Sequence, residues 1–366
     1  MKAAVLYEPG SRFVVEDVEV QEPKHGEVMV QVVAAGVCHS DLHVVRGKLK
    51  VPLPAILGHE GAGIVEMVGE GVTSVRKGDH VIPLWRLSCG RCEWCLGGRP
   101  ALCDAAIQIR DTGRLADGTS RFRKGSAEIK HFAGVSTFAS LSVMMEQSVV
   151  KIRKDIPLEK AALVGCGVIT GVGAVVNAAK VRPGTSVAVF GTGGVGLNVI
   201  QGAALVGAEK IIAVDLLDNK LELAREMGAT HGVNASKIDP VVRTKELTAG
   251  QGVDYAFEVV GLPETISQAV EVLRKRGVAV ILGVTQRETT IPLETFPMLF
   301  QERTVMGSIY GSSRPRVDIP TLIDLYMAGK IKLDPLLTRT YPLEQINEAY
   351  DALERGETAR SVVMFS

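Results

Sequence analysis

The chain has 366 residues, 46% of them hydrophobic and 22% charged, which is enough to bury a large core and long enough for two domains. Its 41 basic residues balance its 41 acidic ones, so the charge gives no reason to expect a nucleic acid or an anionic membrane as partner. Six cysteines, in a chain that opens on the strand-like Met1-Lys2-Ala3-Ala4-Val5 without the charged and apolar regions of a secretion signal, point to reduced thiols in a cytoplasmic protein. The longest apolar runs contain glycine and read as too short to cross a bilayer, so no membrane is expected either.

The first part of the chain alternates apolar and polar residues, as in Val28-Met29-Val30-Gln31-Val32-Val33, and predicts strands separated by turns such as Glu8-Pro9-Gly10. Cys38-His39-Ser40-Asp41-Leu42-His43 and Gly58-His59-Glu60 then concentrate a thiol, three imidazoles, two carboxylates and a hydroxyl. Zinc prefers sulfur and nitrogen donors, and a catalytic zinc keeps three protein ligands and one open position, so Cys38 and His59 suit two of the three. Further strands around Gly63 to Val68 and Asp79 to Pro83 keep this half of the chain mainly β.

Next comes Cys89-x2-Cys92-x2-Cys95-x7-Cys103. Four thiolates close a tetrahedron and leave no place for substrate, so this spacing predicts a structural zinc, with iron–sulfur ligation and redox-active thiols as rival readings. Residues 104–130 are polar and read as a surface excursion, with Arg121-Phe122-Arg123-Lys124 as a solvated charged face.

From Glu159 the period changes. Ala161 to Ala179 reads as a helix of small residues, and Val187-Ala188-Val189-Phe190 as a buried strand running into Gly191-Thr192-Gly193-Gly194-Val195-Gly196, after which a helix runs through Leu197 to Leu205. Strand-like segments recur at Ile211 to Val214, Val253 to Phe257 and Val278 to Leu282 with helical patterns between them, which predicts a parallel doubly wound sheet. A lone GxGxxG is weak, but here a strand precedes it, a helix follows, and Asp215 ends the next strand. Gly191 permits the tight turn, Gly193 the approach of a pyrophosphate, Gly196 close helix packing, and the helix N-terminus offers N–H groups to the anion. A carboxylate at Asp215 would accept from a ribose 2′-OH and repel a 2′-phosphate, so NAD is expected over NADP. Cys166, in Gly165-Cys166-Gly167, taken alone is a small buried residue.

The order of Cys38, Gly58-His59-Glu60-x-x-Gly63, the four spaced cysteines and the glycine turn resembles the zinc-dependent medium-chain alcohol dehydrogenases, over the whole chain to Arg360-Ser361-Val362-Val363. The resemblance implies an α/β protein: a GroES-like, mainly β catalytic domain over residues 1–160 with the zinc lobe at 89–103, a Rossmann-type NAD-binding domain over 161–308, and a return to the catalytic domain over 309–366. It implies two zinc ions per chain, one structural on the four-cysteine lobe and one catalytic on Cys38, His59 and Cys166. Glu60 would be a conditional ligand that otherwise pairs with Arg360, and Asp41 would hold the His59 ring through its other nitrogen.

It further implies a proton relay through Ser40 and His43, and cofactor contacts at His39, Thr170, Gly194, Val195, Lys220, Val260, Leu282, Val284 and Arg360 besides the turn glycines and Asp215. His39 stands where many relatives have arginine and cannot make arginine's bidentate contact with a pyrophosphate. The substrate channel would be lined by Leu49, Trp85, Ile107, Phe132, Ala133, Val284 and Ile309, all apolar. The implied reaction is reversible oxidation of a primary aliphatic, allylic or aromatic alcohol, since zinc lowers the pKa of a bound water from about 15.7 to roughly 7 and should act on an alcohol likewise. Rival readings are a formaldehyde dehydrogenase acting on S-(hydroxymethyl)glutathione or another thiol adduct, an alcohol dehydrogenase that never releases its NAD, and a non-catalytic NAD-sensing module. The last would be expected to have lost a ligand or the relay. Relatives also imply a homo-oligomer, dimer or tetramer, paired near Ile291 to Ile309.

Overall fold

The strand Glu27–Val37 is buried along almost its whole length, with Gln31 its one exposed residue, because it is hydrogen-bonded on both edges and packed on both faces. It pairs antiparallel with Ala62–Val68, Leu141–Met145 and Arg360–Met364. The pairing of Ser361 with Val37 sets the C-terminal strand beside the residue that precedes Cys38. The computed structural model describes residues 1–365. One unit comprises Met1–Cys166, Arg314–Met327 and the chain from Leu336 on; the other comprises Gly167–Ser313 and Ala328–Pro335.

The first unit holds two sheets. One runs in the spatial order Val14–Asp17, Lys2–Leu6, Ala55–Ile56, Ala127–His131, Phe122–Lys124, Glu19–Val20. The other runs Val149–Lys151, His80–Pro83, Ala62–Val68, Glu27–Val37, Arg360–Met364, Leu337–Pro342, with Leu141–Met145 also on the long strand. Leu6, Ile56, Phe122 and Phe138 lie in the core that also takes the apolar side of the helix Ile346–Glu354 through Ile346, Ala349 and Leu353.

The second unit carries the expected parallel sheet, in the order His231–Asn234, Lys210–Asp215, Ser186–Phe190, Val253–Glu258, Leu273–Ile281, Thr304–Gly307. All six residues of Val253–Glu258 are buried, as a strand covered on both faces requires. The chain leaves Ser186–Phe190 toward one edge and returns beside it at Val253–Glu258, so the order reverses between these two strands. In open α/β sheets the ligand crevice lies at such a reversal, beyond the C-terminal strand ends.

Two readings are corrected. Leu158–Ala179 is a continuous helix of 22 residues, long and apolar enough by length and composition to cross a membrane, with 78% of its most apolar window buried in the protein. Its glycines do not interrupt it; a Cβ on Gly171 would meet the backbone oxygen of Val195 at 2.5 Å, so they serve close helix packing. The run Arg121 to Lys124 is solvated only at its end, through Arg123 and Lys124. Arg121 and Phe122 are fully buried and Phe122–Lys124 is a strand paired with Ala127–His131. The Arg121 guanidinium donates Nε to Glu27 Oε2 at 2.8 Å and Nη2 to Asp117 Oδ2 at 2.8 Å, which compensates a cation that could not be buried alone. Within the surface excursion 104–130, Asp104–Thr112 is a helix.

Candidate active site

Cys38 is the residue between the long strand and the helix His39–Val45, and its extended backbone (φ −127°, ψ 147°) turns the chain from one into the other. The helix then presents Ser40, Asp41 and His43 within its first turns. Asp41 is fully buried and accepts the Gly58 N–H through Oδ1 at 3.0 Å, while Oδ2 lies 2.9 Å from His59 Nδ1. With Nδ1 engaged there, His59 Nε2 faces Cys166 Sγ at 3.4 Å. Cys166 sits on a π-helical turn, Val164–Val168, within the long apolar helix; such turns add one residue to a helix and recur at functional sites.

One donor atom each from Cys38, His59, Glu60 and Cys166 lies within 4.8 Å of all the others, and all four residues are buried. Glu60 fits against the long strand only because Gly36 faces it: a Cβ there would meet Glu60 Oε2 at 2.2 Å. The carboxylate pairs with the buried Arg360 guanidinium, and its Oε1 has no hydrogen-bond partner.

The donor set suits a zinc ion. Zinc–sulfur and zinc–nitrogen bonds of about 2.3 and 2.0 Å in a tetrahedron set neighbouring donors roughly 3.5–3.8 Å apart, and the observed contact of 3.4 Å is only slightly shorter. The thiols also call for a cation. The contact between the two sulfurs pushes Cys38 well below its ordinary pKa and Cys166 well above, and a metal ion would bind both as thiolates. Burial disfavours a charged His59, but Asp41 and Cys38 outweigh it and lift the imidazole well above its usual value. Burial likewise lifts the Glu60 carboxyl to about 7, against the pull of Arg360.

Around this cluster the rings of Trp85 and Phe132 meet His59 edge-on, with centroids 6.1 and 5.8 Å from its own. Ala133 follows Phe132 in a left-handed conformation (φ 52°). Leu49 is half-buried, its N–H bonded to the His43 carbonyl at 3.0 Å. Ile107 is 37% exposed on Asp104–Thr112, the helix that follows the lobe. Ser40 and His43 are half-buried and three apart on one helix, hence on one face, while His39 is exposed. Burial, with Lys48 adding to it, holds His43 below its ordinary pKa, so its imidazole is neutral at pH 7.

In the four-cysteine lobe Cys89 and Cys95 sulfurs are 4.0 Å apart, Cys89 N–H points at Cys103 Sγ and Cys92 N–H at Cys89 Sγ, each at 3.4 Å. All four sulfurs fall within one 4.8 Å cluster. Backbone N–H groups, that of Cys95 foremost, bring Cys92 down to about 6, while burial pushes Cys95 up to about 12. Four thiolates this close cannot ionise together without a cation, and a zinc ion fits them.

The glycine turn of the second unit has the expected form. Gly191 has φ +94° and a Cβ on it would strike Val260; a Cβ on Gly196 would lie 1.9 Å from the Gly191 oxygen. Gly193, by contrast, faces open space, and the helix Gly194–Leu205 starts there. Asp215 Oδ2 accepts from Thr192 N and Oγ1, both at 2.8 Å, and Oδ1 accepts from the Leu216 N–H at 2.8 Å and the Leu217 N–H at 3.3 Å. Lys220 is half-buried on the helix Asp218–Glu226, and Thr170 is half-buried on Ile169–Gly173. Leu282 is half-buried, while Val260, Val284 and Ile309 are 42%, 51% and 39% exposed.

Sequence reasoning missed Thr192 as the partner of Asp215. It also missed Glu258, fully buried where Val253–Glu258 ends, whose Oε1 accepts from the N–H groups of Val260 and Gly261, each at 2.8 Å. A carboxylate ending the strand-like segment Val253-Asp254-Tyr255-Ala256-Phe257 was the available signal for it.

Residues 24–154 match the model of the alcohol dehydrogenase GroES-like domain and residues 194–328 that of the zinc-binding dehydrogenase domain. Among solved structures, an alcohol dehydrogenase zinc-binding domain protein from Burkholderia ambifaria is 40% identical with a TM-score of 0.95, the match covering 100% of this chain and 98% of that one. Benzyl alcohol dehydrogenase from Acinetobacter calcoaceticus is 38% identical with a TM-score of 0.95, covering 100% and 99%. A zinc-binding dehydrogenase from Sinorhizobium meliloti, bound to NADP, is 28% identical with a TM-score of 0.82, also covering 100% and 99%.

Proposed function

Since the chain belongs to the zinc-dependent medium-chain alcohol dehydrogenases, with a GroES-like β domain and a Rossmann-type domain, we propose that it interconverts primary alcohols and aldehydes with NAD, aromatic alcohols foremost. The observation that carries this reading is the buried convergence of Cys38, His59 and Cys166 beside two aromatic rings. A zinc ion held by those three residues supplies Lewis acidity toward a hydroxyl or carbonyl oxygen, and a nicotinamide supplies the hydride acceptor.

The protein's own groups do the rest. Asp41 fixes the His59 ring so that Nε2 stays on the metal side. The Ser40 hydroxyl would accept the substrate hydroxyl's proton as it gives up its own, and His43, neutral at pH 7, would take up the released proton and pass it to solvent. Trp85 and Phe132 exclude water and favour a flat, apolar substituent on the alcohol carbon. The benzyl alcohol dehydrogenase at 38% identity supports the aromatic preference.

NAD is favoured over NADP by Asp215, whose carboxylate would repel a 2′-phosphate. The NADP-bound relative from Sinorhizobium meliloti makes this a point to test rather than to assume from the family. A second zinc on the four-cysteine lobe would be structural. Phe296, Leu299 and Phe300 are 71%, 72% and 66% exposed beside Thr304–Gly307, the last strand of the parallel sheet, and this apolar edge supports pairing of two chains. A sedimentation mass of one chain would contradict that pairing. Six unpaired cysteines suit a reducing compartment such as the cytoplasm.

The test is a panel of benzyl alcohol, butanol and a hydroxymethyl-thiol adduct, each with NAD and with NADP. Benzyl alcohol with NAD should give the highest kcat/KM, and Asp215→Gly should cut the preference for NAD by about tenfold or more, the removal of one charged contact being worth at least 1.4 kcal/mol. Best turnover of the thiol adduct, or an unchanged cofactor preference in the variant, would contradict the reading. Turnover without added cofactor would reveal NAD that is never released.

A further inference from the structure

Arg86 is only 5% exposed, yet among the described residues no aspartate or glutamate forms an ion pair with it. Its Nε donates to the Ala101 carbonyl at 3.0 Å, and its guanidinium carbon lies 5.9 Å from the centre of the Trp85 ring. Burial holds its pKa below the ordinary arginine value, Arg110 adds to that, and Cys103 opposes it. Arg110 is itself exposed and engaged by Asp111 at 2.7 Å. A buried guanidinium with a second cation nearby and no carboxylate is costly unless another negative charge faces it.

The chain's route indicates which charge that is. Arg86 immediately precedes the entry of the lobe at Leu87-Ser88-Cys89, and Ala101, its hydrogen-bond partner, lies in the turn Pro100–Leu102 that delivers Cys103. Leu87 and Cys103 are buried in one apolar cluster with the other three cysteines packed around it. One side chain thus ties together the two ends of the cysteine lobe. Four thiolates around one divalent ion leave a net charge of about −2 in a partly buried site.

We propose that Arg86 is the counter-charge and clamp of the four-cysteine centre, holding the lobe closed around its ion while its guanidinium stays over Trp85. This rests on the reading of that lobe as a zinc site. Arg86 is a positioning residue: it ligates nothing and touches no reacting atom. Its charge lowers the cost of gathering four thiolates, and its hydrogen bond keeps the segment before Cys103 from swinging away from Cys89.

The experiment measures release of the lobe metal to a chromogenic chelator, in a Cys38→Ser background in which the lobe is the remaining zinc site. R86M, which keeps the unbranched apolar stem but neither the charge nor the hydrogen-bonding guanidinium, should release zinc about 10- to 100-fold faster, the usual cost of removing a partner that supports metal ligands. R86K, which keeps the charge but loses the planar fork, should fall between R86M and the parent. Far-ultraviolet circular dichroism of each protein before chelator is added checks that it is folded. Equal release rates in parent and R86M would overturn the proposal, as would R86K releasing as fast as R86M. A parent protein without lobe zinc would instead overturn the zinc reading itself. Should R86M fail to fold, the comparison of R86K with the parent still decides, since a counter-charge predicts only a partial acceleration there.

Discussion

Cys166→Ala is expected to lower kcat/KM for benzyl alcohol by about a thousandfold or more. Cys166 stands with Cys38 and His59 in one buried cluster, and a site reduced to a single sulfur and a single imidazole no longer offers the three ligands a catalytic zinc requires. Lewis-acid stabilisation is worth several kcal/mol, and each 1.36 kcal/mol is about tenfold in rate. The lost side chain is small and only 7% exposed, so its packing contribution is minor beside this effect. Metal analysis should show one zinc fewer per chain than in the parent, and the affinity for NADH should be unchanged, because the glycine turn and Asp215 belong to other elements. Full activity in a protein that has lost that zinc would refute the assignment.

The second large effect is on stability. Glu60 and Arg360, 300 positions apart in sequence, form an ion pair in which the side chains are 0% and 6% exposed. Removing one partner of a buried pair leaves the other charge uncompensated, at a cost of about 3–5 kcal/mol. Arg360→Met should therefore lower the unfolding free energy by about that amount at pH 8, where the carboxylate is charged in the parent. Glu60→Gln combined with Arg360→Met removes both charges and should recover part of the loss. Denaturant titration of the parent, the single variant and the double variant measures this directly. A double variant no more stable than the single one would mean that the pair is held by packing rather than by charge.

The parts of the fold that carry strong periodicity were legible in the sequence. The strands at Ser186–Phe190 and Val253–Glu258 and the helix from Gly194 announce themselves because a buried parallel strand is a short apolar run and a glycine turn joins it to a helix. His231–Asn234 was not legible: four residues, His-Gly-Val-Asn, carry no apolar run, and the strand exists because Lys210–Asp215 offers it an edge. Arg121 misled for a related reason. A charged run usually faces solvent, and its burial is made tolerable by Glu27, 94 positions away, together with the nearby Asp117.

At the candidate site, Cys38 and His59 stood out through local density of donors, whereas Cys166 is a single cysteine among small residues. What identifies it in space is the approach of His59 Nε2 to its sulfur, a contact between residues 107 positions apart. Arg86 was silent as well, since nothing in the local sequence indicates that a guanidinium there lacks a carboxylate partner.

Anomalous diffraction at the zinc absorption edge, on crystals of the unmodified protein, shows whether Cys38, His59 and Cys166 share one catalytic zinc. One peak is expected at the four-cysteine lobe and a second bound by Cys38 Sγ, His59 Nε2 and Cys166 Sγ, at about 2.3 Å from each sulfur. An electron-density map with the lobe peak present and no anomalous signal among those three side chains would contradict the shared site.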